Sequence, residues 1–105
     1  MGSAPTSDEA AIRQVIRALR QAGYRLTGGH DGEDFFEVPA DVSEDVLIDH
    51  LTACDDSTLH TFAEGAERER SHVYFVLGND PEEVVADYGV SLSETLDPLT
   101  EGWWS

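Results

Sequence analysis

The sequence has no lysine, and Cys54 is its only cysteine. One thiol cannot form an internal disulfide, so a reducing interior is the natural setting and a cytoplasmic location is expected. Long apolar runs are also missing. None approaches the length needed to cross a bilayer, and the N-terminus lacks the basic-then-apolar pattern of a secretory signal. Met1, Gly2 and Ser3 carry no weight here. Basic residues are scarce, with six arginines against 22 acidic residues and a net charge of −16. That field repels nucleic acid and anionic membranes, and favours a basic partner or a strongly screening solvent.

What is present is a chain of 105 residues, enough for one two-layer core and too little for two. The expectation is a single domain over 1–105, with 1–6 and 102–105 as flexible tails. Charge is uneven along it. Residues 1–30 carry Arg13, Arg17, Arg20 and Arg25 against Asp8 and Glu9, whereas 31–105 carry twenty carboxylates against Arg68 and Arg70.

Residues 71–88 organise the rest. Val73-Tyr74-Phe75-Val76-Leu77 is the longest apolar run, and predicts a central strand packed on both faces. Asp80-Pro81-Glu82-Glu83 then reads as a capped helix start, predicting a helix to Tyr88. Upstream, Thr6 and Glu9 fit a capping box ahead of a helix whose apolar face is Ile12, Val15, Ile16 and Leu19. Arg13, Arg17 and Arg20 form a stripe beside that face, and Gly23 ends the helix.

Tyr24 to Thr27 alternates as a half-buried strand does, Gly28 to Gly32 reads as a turn, and Phe35 to Val38 as the returning strand. Ser43-Glu44-Asp45 starts a second helix with Val46, Leu47, Leu51 and Cys54 toward the core. Thr58 to Ala63 is a third strand, and 64–70 a mixed-charge hairpin loop. A last helix is expected from Ser93 to Glu101, with Pro98 a possible kink. The fold class is therefore α+β, a two-layer, four-stranded antiparallel sheet in the order α-β-β-α-β-β-α-α.

The apolar strand Val73 to Leu77, Gly78-Asn79-Asp80, Asp87-Tyr88, Leu92, Leu96 and Pro98-Leu99 together resemble a pattern in small uncharacterised proteins of phages, prophages and plasmids. The resemblance implies a mobile-element origin. It carries over no functional residue, because the group has no established activity, and the missing lysine departs from it.

Candidate chemistry is thin. His30, His50, His60 and His72 lack short metal-ligand spacing, and pairing about the 64–71 loop would set His60 opposite Phe75. Asp31-Gly32-Glu33-Asp34 lacks the alternation of a calcium loop. Cys54 beside Asp55 and Asp56 is a poor nucleophile, because their charges disfavour thiolate. A pair such as Glu33 with Glu37 is expected by chance among so many acids. Gly28-Gly29 and Gly78-Asn79-Asp80 have no phosphate-binding lysine after them. No cofactor and no metal site are expected. The arginine stripe is read as facing acids of the same chain. Trp103 and Trp104 read equally as interface anchors or as a core cap.

The functional expectation is a non-enzymatic acidic protein-binding module, a DNA mimic or anti-defence inhibitor that docks a basic nucleic-acid-binding or defence protein. Its expected contacts are Glu44, Asp45, Asp49, Asp55, Asp56, Glu82, Glu83, Trp103 and Trp104. The alternative is a regulatory or housekeeping domain of a salt-adapted organism, and a small hydrolase using buried carboxylates ranks third.

Overall fold

A computed structural model describes residues 4–63 and 69–104, with the side chains of Glu69 and Trp104 outside the description. Ser7 opens α1 (Asp8–Gln21), its hydroxyl accepting from the amide of Ala10 at 3.1 Å. The cap is thus one residue later than the Thr6 capping box predicts. Ala11, Ile12, Val15, Ile16 and Leu19 form the buried stripe of this helix. Strands β1 (Arg25–His30) and β2 (Phe35–Glu37) follow, then α2 (Glu44–Leu51) capped by Ser43. The remaining elements are β3 (Asp56–Ala63), β4 (Glu69–Val76), a 3-10 turn at Pro81–Glu83, β5 (Val85–Tyr88), a second 3-10 turn and α3 (Ser93–Trp104).

Among the described residues the sheet has five antiparallel strands in the order β2-β1-β3-β4-β5, covered by three α-helices. This corrects the four-stranded sheet with helices in the order α-β-β-α-β-β-α-α. The error lies in the segment Pro81–Tyr88, where helix-start signals give only a single 3-10 turn. Asp80 makes no side-chain cap there. Val84, Val85 and Tyr88 are residues that suit a pleated surface, and the free edge of β4 supplies backbone partners that a short helix cannot match. The amide of Val76 donates to Val84 at 2.9 Å, and Gly89 donates to His72 at 3.0 Å.

A second correction concerns β4, which is interior but not central. The central strand is β3, and among the described residues only one face of the sheet is buried under the helices. Ser57, Leu59 and Thr61 of β3 and Val73 and Phe75 of β4 point into the core, while Thr58, His60, His72 and Tyr74 alternate outward. The core joins those residues to Leu26, Leu47, Ile48, Leu51, Val84, Val85, Leu92, Leu96 and Trp103. Val46 turns outward and Ile48 takes the core position expected for it.

Strand β1 runs on through Gly28 and Gly29, which the sequence places in a turn. Side chains are impossible there. A Cβ on Gly28 would collide with the Phe36 carbonyl, and one on Gly29 with the Thr58 carbonyl, so only glycine lets β1 lie between β2 and β3. Gly28 also has a φ of +142°, next to the register shift between Leu26 and Gly28. The helix α3 continues through Pro98 to Trp104, across residues assigned from sequence to a tail. The 64–68 part of the predicted hairpin loop lies outside the described residues.

Candidate functional site

One end of the sheet is built from the 31–34 turn, the 52–56 connection and the 77–84 connection. Asp31 Oδ1 accepts from the amides of Glu33 and Asp34, both at 2.9 Å, closing the turn. The amides of Asp34 and then Glu33 are the main reason its carboxyl lies below the usual range. Gly32, at a φ of +105°, packs against the Cys54 side chain. Leu77 donates to the Asp55 carbonyl at 2.8 Å, and Gly78 donates to Asp8 Oδ2 at 3.2 Å. Tyr74 donates its hydroxyl to Asp56 at 2.9 Å. Carboxylates from two separate segments, the 31–34 turn and the 52–56 connection, therefore meet around Cys54. Partial burial, then the charges of Glu33, Asp31, Asp55 and Asp56, push its thiol up and keep it protonated.

Of the residues expected to contact a partner, Asp55, Asp56, Glu82 and Glu83 are brought to this end together. Glu44 and Asp45 are elsewhere and already engaged. Arg13 donates to Glu44 at 2.8 Å and to Asp45 at 2.9 Å, and Arg17 donates to Glu44 at 2.9 Å. Arg20 donates to the Val42 carbonyl at 2.6 Å. The arginine stripe thus fastens α1 to the start of α2, and it holds the Glu44 carboxyl below the usual range. Asp49 is exposed on α2.

Trp103 is not a surface anchor. It is 3% exposed, and its indole donates to Gln14 Oε1 at 3.2 Å, so it closes the core against α1. The side chain of Trp104 lies outside the described residues.

The uncovered sheet face has a different chemistry. Arg25, Phe62 and Arg70 form one cross-strand row, Glu37, Gly28, His60 and His72 a second, and Phe35, His30, Thr58, Tyr74 and Asp87 a third. Phe35 is 77% exposed, sits edge-on to His30 at 4.8 Å and lies 6.3 Å from the His60 ring. A groove of about 890 Å³ crosses this face, lined by Gly28, Gly29, Phe35, Glu37, His60, Phe62, Arg70 and His72 among others. On the covered side, His50 stacks on Phe36 at 4.2 Å.

No protein-family model, characterised protein or solved structure matches this chain.

Sequence reasoning missed the groove because it set His60 opposite Phe75. The pairing is His60 with His72, and Ser57 stands opposite Phe75. A shift of three residues changes which face each side chain occupies, and would have brought a histidine onto the core side. Alternation along β3 does not give that register away, because the hydroxyls of Ser57 and Thr61 face the core while Phe62 faces outward. Among the described residues, no group of three or more His, Cys, Asp or Glu is arranged to hold a metal ion. No described helix is long and apolar enough to cross a membrane.

Proposed function

We propose that this chain is a non-enzymatic protein-binding module whose acidic sheet end docks a basic patch on a partner protein. The reading rests on the convergence of Asp31, Glu33, Asp55 and Asp56 around Cys54, beside the turn that carries Glu82 and Glu83. Carboxylates held close together repel one another, and a cationic surface relieves that repulsion. Three of the six arginines are committed to the contact between α1 and α2 and do not serve this end. The acids come from loops at strand ends rather than in rows along helices, which suits a compact basic patch better than imitation of a duplex.

The test is capture from lysate with the full chain and with Asp55→Asn/Asp56→Asn. The proposal expects a retained basic protein that elutes as salt rises, and about tenfold weaker retention by the double variant. Equal retention by both chains removes the reading.

A second reading is salt adaptation, favoured by exposed acids away from this end, such as Asp41, Glu94 and Glu101, and by the missing lysine. It expects a melting temperature that climbs steadily into molar salt. A melting temperature flat above about 0.2 M salt argues against it.

A further inference from the structure

We propose that the groove on the uncovered sheet face binds a small planar aromatic anion, with its ring against Phe35 and Phe62 and its negative group at Arg70, His60 and His72. Three observations carry this. The first is shape. Gly28 and Gly29 leave a floor of bare main chain, and the neighbouring strands raise side chains around it. The volume, about 890 Å³, lies within the range of small-molecule sites.

The second is lining. Phe35 presents most of its ring to solvent on an outward-facing strand position, where nothing in the fold requires an aromatic residue. A planar ligand gives that ring a stacking partner. The third is charge. Among the described residues, Glu37 is the only carboxylate lining the groove, against Arg70, His60 and His72. Of the other acids on this face, Asp56 accepts from Tyr74 and Asp87 lies beyond it on β5.

The charge of the whole molecule selects against polymers. A polyanion feels the net charge of −16 along its length, while a small ligand inside the groove feels mainly the side chains within about a Debye length, roughly 8 Å at physiological salt. The groove is therefore suited to a small aromatic acid or a mononucleotide rather than to a strand of nucleic acid.

Binding should also depend on pH. His60 faces His30 and Arg25 of β1, Glu37 of β2, and Arg70, His72 and Tyr74 of β4. Burial first, then His72 and His30, hold its pKa below the ordinary value. A bound anion favours the protonated imidazoles, so affinity rises as pH falls through the histidine range.

Isothermal titration of the full chain with indole-3-carboxylate and adenosine 5′-monophosphate, each beside its neutral counterpart indole-3-carboxamide or adenosine, tests this. At least one anion should bind saturably, about tenfold tighter than its neutral counterpart, and tighten several-fold from about pH 7.5 to pH 6. The anion that binds tells an aromatic acid from a nucleotide. Arg70→Gln and Phe35→Ala, both at exposed positions, should each weaken binding about fivefold or more, whereas Val90→Ala should not. The proposal fails if neither anion saturates by about 10 mM, if the neutral compounds bind as well, or if both groove variants bind like the parent. Tighter binding of a single-stranded oligonucleotide than of the mononucleotide also overturns it.

Discussion

His60 and His72 stand directly opposite each other on β3 and β4, on the face of the sheet that no helix covers. Burial first, and then this pairing, lowers the pKa of His60 below its unfolded value of about 6.5. The unfolded chain therefore takes up this proton first as the pH drops. The stability owed to the neutral imidazole is complete above the histidine range and is lost as pH falls through it toward the lowered folded value. His60→Gln should flatten the fall in melting temperature between about pH 7 and pH 5, with little change above pH 8. An unchanged slope would mean that His60 does not titrate as its surroundings require.

Thr61 gives a prediction of opposite sign. It is 2% exposed on the core side of β3, and its hydroxyl has no hydrogen-bond partner among the described residues. A buried polar group without a partner costs about 1–3 kcal/mol, and valine has nearly the same shape. Thr61→Val should therefore stabilise the chain by about 1 kcal/mol, read from the midpoint of urea unfolding. A destabilised variant would point to a hydrogen bond made by that hydroxyl.

Two glycines of positive φ should respond differently to alanine. Gly23, at a φ of +92° after α1, has open space where a Cβ would go. Gly23→Ala should cost about 1–2 kcal/mol, the expense of a left-handed alanine alone. At Gly28 the new methyl also meets the Phe36 backbone, so Gly28→Ala should cost at least about 2 kcal/mol more and separate β2 from β1. Amide exchange at Gly29 and Phe36 distinguishes local opening from global loss.

Glu44 holds Arg13 and Arg17 together at the surface. Exposed ion pairs contribute little, so Glu44→Gln should lower the melting temperature by no more than about 4 °C at low salt, and by less at high salt. Because its folded pKa is lowered, the stability it confers is present above the unfolded carboxylate value and lost as pH falls through the folded one. A drop independent of salt would assign Glu44 a packing role instead.

Much of this architecture was legible in the residues. The apolar spacing of Ile12, Val15, Ile16 and Leu19 identifies α1, Ser43 marks the start of α2, and the run Val73 to Val76 lies within β4. Arg13 and Arg17 of the arginine stripe pair with acids of the same chain, as read from the sequence, while Arg20 donates to the Val42 carbonyl. What failed were decisions that depend on distant partners. Local cap chemistry at Asp80-Pro81 favours a helix, but the open edge of β4 selects a strand. Gly28-Gly29 reads as a turn until β2 and β3 are seen to press on it from either side. The groove was illegible for the same reason, since it exists only in the register between β3 and β4.

The two outermost strands are brief, β2 spanning three residues and β5 four. An incoming chain finds only a short ladder of unpaired amides and carbonyls on either flank, which is too little to template growth of the sheet. Resistance to fibre formation then resides in backbone geometry as well as in mutual repulsion, and should survive in brine that silences the protein's negative charge.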